Sequence, residues 1–545
     1  MTGATYETDV LIVGGGPVGM ALALDLKYRD VNFMIIDAGD GSVSHPKVST
    51  IGPRSMELFR RWGVAGKIRN AGWPGSYPLD VAWVTKVGGH EVYRLERGTA
   101  QSRPLPAHTP EPDQICPAHW LTPLLMREVG LHPDGPMRIR YELDGFVQAD
   151  DHVLATITNL TDGSVLTVRA RFMVACDGAS SPVRRACDIA SPARHETRVF
   201  RNILFRAPHL KEQLGQRNAL VYFLMLSSWL RFPMRAIDGR ALYNLVVGVD
   251  GGSRSTQPAM SLVTSAIAFD TPLEVLSDTE WHLTHRVADQ LRVGRVFLVG
   301  DAAHTLSPSG GFGMSTGICG AADLGWKLAA ELDGWAGPGL LDTYQAERRP
   351  IAVESLEEAN VNLVRTMKRK LPPDLHLDSP EGERARAEMA DQLERSDVRR
   401  EFDMPKIYFG FRYASPIIVP DPAAPIPDSP EWRQSTVPGS RAPHAWLRPG
   451  VSTLDLFGRG FSLLCFAESD RREGFEHAFA DCRVPLETTV FGTTVFGTTV
   501  CGDARTAELY EYPFVLVRPD GHVAWRGNDL PPDASWLVDK VRGAG

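Results

Sequence analysis

The sequence predicts an α/β fold of two or three domains built on a doubly wound parallel sheet, and three observations predict it. The chain has 545 residues, against roughly 150 per domain. Its first forty residues run strand, glycine turn, helix, strand. A second buried-strand run, Arg295 to Asp301, ends in Gly-Asp and leads into another glycine-rich turn and helix, so the first domain resumes after an interruption.

Taken in order, Asp9 to Val13 is a short branched apolar run, followed by Gly14-Gly15-Gly16-Pro17-Val18-Gly19, a helical pattern from Met20 to Arg29 and a strand from Asn32 to Ile36. Between Tyr141 and Val174 the pattern alternates, with a Thr161-Asp162-Gly163 turn that predicts an antiparallel hairpin. Strand candidates continue from Thr197 to Asp250, including Ala219 to Leu226 and Ala241 to Val249. After the helix-like Ala321 to Leu332, residues 371–441 are rich in proline and charge. The Arg/Glu-laced segment Glu383 to Glu401 there reads as a solvated helix. The end of the chain reads as a small α/β unit, with strands near Phe461 to Phe466 and Phe514 to Arg518. The expected division is 1–180 for the first part of the nucleotide-binding domain, with residues of about 75–110 reaching the substrate side. An inserted sheet domain follows at 181–285, then the second part of the first domain at 286–370, a connector at 371–440 and the terminal unit at 441–545. Thr488-Thr-Val-Phe-Gly, repeated from Thr493 and in part from Thr498 to Cys501, is too short for a solenoid and reads as a strand and loop expansion.

Composition excludes several classes. Apolar residues at 43% and charged residues at 23% are an ordinary globular balance. With 58 basic against 66 acidic residues the net charge is -8, the wrong sign for a phosphate-backbone binder. The seven cysteines are odd in number and form no CxxC pair, which argues against a disulfide scaffold or zinc ribbon and for a reducing compartment. Glu7 and Asp9 stand where an export signal would be basic, and no apolar run is long enough for a membrane span. A cytoplasmic protein with no nucleic-acid or membrane partner and no metal is expected.

The glycine turn carries dinucleotide chemistry. Gly14 makes the tight turn, Gly16 lets the backbone approach a diphosphate, and Gly19 lets helix and strand pack, with Val18 beside it. The helix N-terminus faces the negative charge. Asp37, 23 residues after Gly14, stands where an acid accepts from ribose hydroxyls. These elements leave FAD and NAD both open.

Two later motifs decide between them. Met173-Val-Ala-Cys-Asp177-Gly178 and Gly294-Arg-Val-Phe-Leu-Val-Gly300-Asp301-Ala-Ala-His304-Thr-Leu-Ser-Pro308 each end a strand in an Asp/Gly pair. With the N-terminal turn, Gly52-x-Arg54, Gln114 and Gly311-x-Gly313-Met314, they resemble the para-hydroxybenzoate hydroxylase-like, class A FAD-dependent aromatic monooxygenases over residues 8 to about 350. Phe409 to Pro416 and Pro438 to Trp446 look like the phenol hydroxylase branch, whose members carry a thioredoxin-like C-terminal domain. Without CxxC, that domain is expected to be structural or to make subunit contacts, leaving room for a homodimer.

The resemblance implies a glutathione reductase-type, FAD/NAD(P)-binding Rossmann-like domain with an inserted substrate sheet and a thioredoxin-like end. It makes Asp37 a ribose ligand, Arg54 and Gln114 contacts to the diphosphate region, Asp301 a ribityl ligand and Pro308 a neighbour of the flavin ring. The amides around Gly311, Gly313 and Met314 would face the pyrimidine edge, and Asp177-Gly178 would serve both FAD and NAD(P)H. Ser315 and Cys319-Gly320-Ala321 depart from the pattern, which has Asn and Gln-Asp-Ala there.

The implied reaction is reduction of FAD by NADPH or NADH, with NADPH favoured, then attack of a flavin hydroperoxide on a phenolic or polycyclic polyketide-like substrate, with O2 as co-substrate. His45, in the loop after the second strand, is the candidate base, with His304 and His119 as weaker alternatives. Tyr222, Phe223 and Trp229 are the candidate substrate contacts, in a region where strand alternation sends half of the side chains away. Two other readings stay open, a flavin-loaded binding protein that sequesters an aromatic compound and a flavin halogenase. The absence of a WxWxIP segment counts against the halogenase.

Overall fold

The structure, a computed structural model, describes residues 5–46, 50–132, 135–248, 257–421, 432–492 and 504–545. Apolar runs such as Val10-Leu-Ile-Val13 and Phe172-Met-Val-Ala175 form central parallel strands with their side chains almost completely buried. The strand order is Arg292–Val293, Val296–Leu298, Val165–Ala175, Thr5–Val13, Phe33–Asp37, Met137–Ile139. All but the first of these run parallel. The hairpin of Val153–Asn159 and Val165–Ala175 turns at Gly163, whose φ of 71° is left-handed.

The second sheet has seven strands in the order Glu274–Leu283, Arg198–Arg206, Leu242–Gly248, Pro233–Ala236, Val221–Leu224, Val81–Val84, Glu91–Leu95. Its last two strands come from upstream of the second nucleotide motif. They join through a parallel pairing of Val81–Val84 with Val221–Leu224. One face of this sheet is sealed by Tyr77, Tyr222, Tyr243 and the helices Leu210–Leu214 and Ala259–Ala266. The opposite face carries Trp83 and Phe223, stacked with centroids 5.2 Å apart.

The connector does not remain a solvated helix. In Pro380–Arg395 the residues Ala385, Met389 and Leu393 form a stripe at helical spacing that packs into the same core as Trp83 and Phe223. The expectation of solvation holds for its charged face only, because the uncovered aromatic face of the sheet is the stronger partner.

The C-terminal unit has a four-stranded sheet ordered Leu486–Val490, Phe461–Cys465, Phe514–Val517, Val523–Gly527. Its first pairing is parallel and the other two are antiparallel. Its core is shared with the first domain, since Phe461 packs edge-on against Trp326 of the helix Phe312–Leu332. The first copy of the Thr-Thr-Val-Phe-Gly repeat ends the strand Leu486–Val490; the later copies and Cys501 lie outside the described residues. Among the described residues no helix is long and apolar enough to cross a membrane.

Candidate active site

Sterics dictate the glycine turn. Gly14 has φ 108°, and a Cβ there would lie 2.3 Å from the Cys176 carbonyl oxygen; a Cβ on Gly19 would lie 2.0 Å from the Gly14 oxygen. Gly16, the N-cap of the helix Pro17–Tyr28, has nothing within 4 Å of where its Cβ would be. Gly14 and Gly19 therefore serve the close packing, while Gly16 leaves the helix N-terminus open to an approaching diphosphate. Asp37 closes the far side of the turn, accepting from the Gly15 amide at 2.6 Å and the Gly39 amide at 2.7 Å. Val18 packs on the other flank, against Gly300 and Gly317, and so joins the first helix to the second Gly-Asp motif.

That second motif leads to another helix N-terminus. Asp301 sits exposed in the turn Gly300–Ala302, and the Pro308 carbonyl accepts from Gly311, the left-handed N-cap of the helix Phe312–Leu332. Gly313 and Met314 lie in the first turn of that helix, whose free amides favour developing negative charge. Ser315 accepts from the Gly52 amide at 3.2 Å and thereby docks this helix on Pro53–Arg61. Tyr408, which sequence reasoning passed over, seals the joint: its ring lies against Gly52 and its hydroxyl donates to the Gly310 carbonyl at 3.3 Å.

Asp177 accepts from the Val183 amide at 3.1 Å, and burial raises its carboxyl above the ordinary range. Gly178 beside it has φ 83° and open space where a side chain would stand. Arg184 links this motif to the second one, donating to the carbonyls of Ala179 at 3.0 Å and Ala302 at 2.7 Å. The two Asp/Gly motifs are thus held together at one edge of the parallel sheet.

Arg54 and Gln114 stand one strand apart, Gln114 pairing with Ile51 just before the helix that carries Arg54. The Arg54 guanidinium is committed elsewhere, at 2.9 Å from Glu57 and 2.7 Å from the Asp520 carbonyl of the C-terminal unit.

His45 reaches across to the inserted sheet. Its Nε2 lies 3.0 Å from the Asn244 amide nitrogen and its Nδ1 2.7 Å from the Ser277 hydroxyl. An amide NH2 only donates, so Nε2 accepts and the neutral ring carries its proton on Nδ1, directed to Ser277. Asn244 pairs directly with Arg235 across the sheet, which places both on the face that His45 contacts.

The three expected substrate contacts do not gather there. Tyr222 points to the opposite face, its hydroxyl accepting from the Ala219 amide at 2.7 Å. Phe223 is on His45's side but packed between Trp83 and Phe402. Trp229 lies 39% exposed in a loop. His304 and His119 also stand apart; His304 is buried and held neutral, its pKa pushed down to about 4 chiefly by burial.

The residue that sequence reasoning missed is Arg235. Burial lowers its pKa, and it forms no ion pair among the described residues. Arg231, Arg365 and Arg369 belong to the same neighbourhood, where Glu401 is the sole acid acting on both Arg235 and Arg369. Arg365 Nη1 is buried without a hydrogen-bond partner. The basic excess is carried by residues far apart in the chain, so no local motif announces it.

Residues 7–359 match the family described as FAD binding domain, and residues 435–543 match the aromatic-ring hydroxylase C-terminal region. The chain belongs to the FAD-dependent aromatic monooxygenases. It is an oxidoreductase of that general class, and the open space at Gly16, the pinned Gly15 and the helix N-terminus after Gly311 fit FAD. Among solved structures it is similar to the rebeccamycin biosynthetic enzyme RebC with reduced flavin, at 62% identity and TM-score 0.94 over 99% of this chain and 100% of that one. RebC soaked with chromopyrrolic acid, holding 7-carboxy-K252c, gives the same identity, TM-score and coverage. The flavin-dependent monooxygenase PieE with FAD and substrate is similar at 27% identity and TM-score 0.88, over 99% and 100% of the two chains. A curated relative is the tetracenomycin B2 monooxygenase-dioxygenase of Streptomyces olivaceus, 30% identical over 98% of both chains.

Proposed function

We propose that this monooxygenase is a class A, para-hydroxybenzoate hydroxylase-like enzyme that consumes NADPH or NADH, with NADPH favoured, and oxidises a polycyclic aromatic acid in the cleft between flavin and inserted sheet. The observation that carries the substrate class is Arg235, a half-buried guanidinium that forms no ion pair among the described residues and shares the single acid Glu401 with Arg365 and Arg369, directly across the strand pair from the Asn244 that holds His45. A substrate carboxylate would add a second counter-charge to a cluster where one acid serves three arginines, and two acceptors for the Arg235 fork. Chromopyrrolic acid and 7-carboxy-K252c, both named with RebC, agree with this chemistry, while K252c, also named with RebC, is the comparison compound without the carboxy group.

When bound, FAD supplies oxygen activation, and this chain's residues position, exclude water and hold protons. Gly15, Asp37 and the helix starting at Pro17 would cradle the diphosphate end, and the amides of Gly313 and Met314 the ring end. Asp177 and Gly178 would serve FAD and the nicotinamide cofactor together. His45 is the candidate base: a substrate hydroxyl would take Asn244's place at Nε2, and Ser277 would hold the Nδ1 proton as the ring becomes charged. The C-terminal unit reads as thioredoxin-like because its strand order and pairing directions are those of a βαβ unit followed by an antiparallel pair. Cys465, buried in that sheet, has its thiol pushed up to about 12 by burial, which suits a structural role.

The test is a panel of polycyclic aromatic acids, their decarboxylated analogues and simple phenols, scored for stimulated NADPH and NADH oxidation and for product mass. The acids should be preferred, and Arg235→Gln should raise KM for them about 10-fold or more while leaving the analogues unchanged. A preference for decarboxylated analogues would sink the substrate reading. Tight binding of aromatics with no product would favour a sequestering protein. His45→Ala should slow turnover and flatten its pH profile with FAD still bound; an unchanged profile would remove His45 as base.

A further inference from the structure

A cavity lies where the helix Pro53–Arg61 faces the C-terminal unit. Its volume is about 150 Å³, and it is lined by Tyr28, Arg54, Glu57, Arg60, Arg61 and, from the other side, Leu454, Asp455 and Phe457, with Asp455 taken up by Arg60. Residues 54, 57, 58 and 61 share one helix face by their spacing, so the sequence presents a charged stripe to the domain interface.

The charges in this stripe are unevenly matched. Arg54 has Glu57, Arg60 has Asp455 and Glu111, and neighbouring Arg29 has Asp25. Arg61 forms no ion pair among the described residues; its Nη1 donates to the Pro519 carbonyl at 2.7 Å. Its Nη2 and that of Arg54 converge on Gly521, at 3.2 and 3.4 Å from where a Cβ would stand. Burial, then the like charges of Arg54 and Arg29, pull the Arg61 pKa down to about 10, so it stays charged at neutral pH. A partly buried cation among like charges, opening on a cavity, is the electrostatic setting in which an anion binds.

We propose that this cavity is a binding site for a phosphate-type oxyanion, held by the guanidinium of Arg61 at the interface between the flavin domain and the C-terminal unit. The volume admits a tetrahedral oxyanion with a small carrier and is too small for a dinucleotide. Arg29 and Arg61 both donate to the Pro519 carbonyl and Arg54 to that of Asp520, so the same arginines grip the hairpin tip. An anion that neutralises Arg61 would tighten the contact between the domains.

The test uses FAD-loaded full-length protein, so that the cofactor's own phosphate sites are filled. Inorganic phosphate and glycerol 3-phosphate are titrated against sodium chloride of equal ionic strength, and unfolding temperature and binding heat are recorded. A saturable rise in Tm with one-site heat is expected from at least one phosphate. Both signals should be lost in Arg61→Gln, and also in Leu454→Trp, which fills the cavity from the opposite wall and keeps the cations. The stronger of the two ligands tells free phosphate from a phosphomonoester. A rise matched by chloride, or one of equal size in both variants, overturns the site.

Discussion

Arg518 and Glu347 meet in a fully buried two-pronged ion pair, Nη1 to Oε1 at 2.5 Å and Nη2 to Oε2 at 2.9 Å. Arg518 stands at the tip of the hairpin between Phe514–Val517 and Val523–Gly527, and Glu347 lies in the helix Thr343–Lys368. Lys327 bonds to both Glu347 and Asp323, and Arg518 also reaches Asp323 and Asp520. The C-terminal unit is thus plugged into the helices that shape the flavin site by a closed network of two cations and three acids.

Removing one member of such a network strands the others in a medium that cannot solvate them. Arg518→Met should destabilise the protein by about 3–5 kcal/mol in chemical denaturation. A loss below about 1 kcal/mol, the range of exposed pairs, would show that the C-terminal unit docks by apolar contact alone.

Four buried histidines set the acid limit of stability. Burial holds His285, His304, His444 and His522 neutral, with pKa values pushed down to about 4, against about 6.5 in an unfolded chain. The unfolded state therefore takes up protons first, and stability is fully present above pH 6.5 and falls as pH drops toward 4. Each histidine steepens that fall by up to about 1.4 kcal/mol per pH unit. His285→Leu should make the stability curve between pH 6 and 4 shallower by up to that amount; an unchanged slope would mean that His285 is not held neutral.

Asp37 makes two short bonds to the amides of the nucleotide turn, so its loss should be felt as cofactor affinity. A hydrogen bond to a charged group contributes about 1.5–3 kcal/mol; with only the Gly15 bond lying on the diphosphate side of the turn, Asp37→Ala should weaken FAD binding about 10- to 100-fold in a flavin fluorescence titration. Asp37→Asn keeps one acceptor and should fall between. Equal affinity in all three proteins would count against Asp37 as the organiser of the turn.

Tyr222 and Arg235 lie on opposite faces of one sheet and should separate stability from specificity. Tyr222→Phe loses the bond to the Ala219 amide inside a sealed core, so about 1–3 kcal/mol of stability should go with KM unmoved. Arg235→Gln should do the reverse. A KM effect from Tyr222→Phe would place the substrate on the wrong face of the sheet in our reading.

The nucleotide turn was legible because its chemistry is local: Gly14, Gly16, Gly19 and Asp37 lie within one strand, helix and strand unit whose sterics allow little else. The helix that carries Ala385, Met389 and Leu393 was legible as a helix but read as solvated, because the aromatic face that it covers comes from distant strands. His45 was chosen as the candidate base by position alone, and its partners Asn244 and Ser277 lie 199 and 232 residues away. Adjacent Tyr222 and Phe223 point oppositely by strand alternation, and only the register with Val81–Val84 and Pro233–Ala236 shows which face each takes. Arg54 carries the family motif, but its guanidinium is held by a carbonyl 466 residues further on.

By itself the sequence determined the chemistry of the cofactor end, because glycine sterics, helix dipoles and an acid at strand's end act over a few residues and tolerate few substitutes. The tertiary structure decided the rest: which aromatic residues are core, which arginines lack a carboxylate, and that the C-terminal unit is anchored through Arg518. Those properties depend on desolvation and on charges brought together from distant segments, and neither quantity exists until the chain has folded.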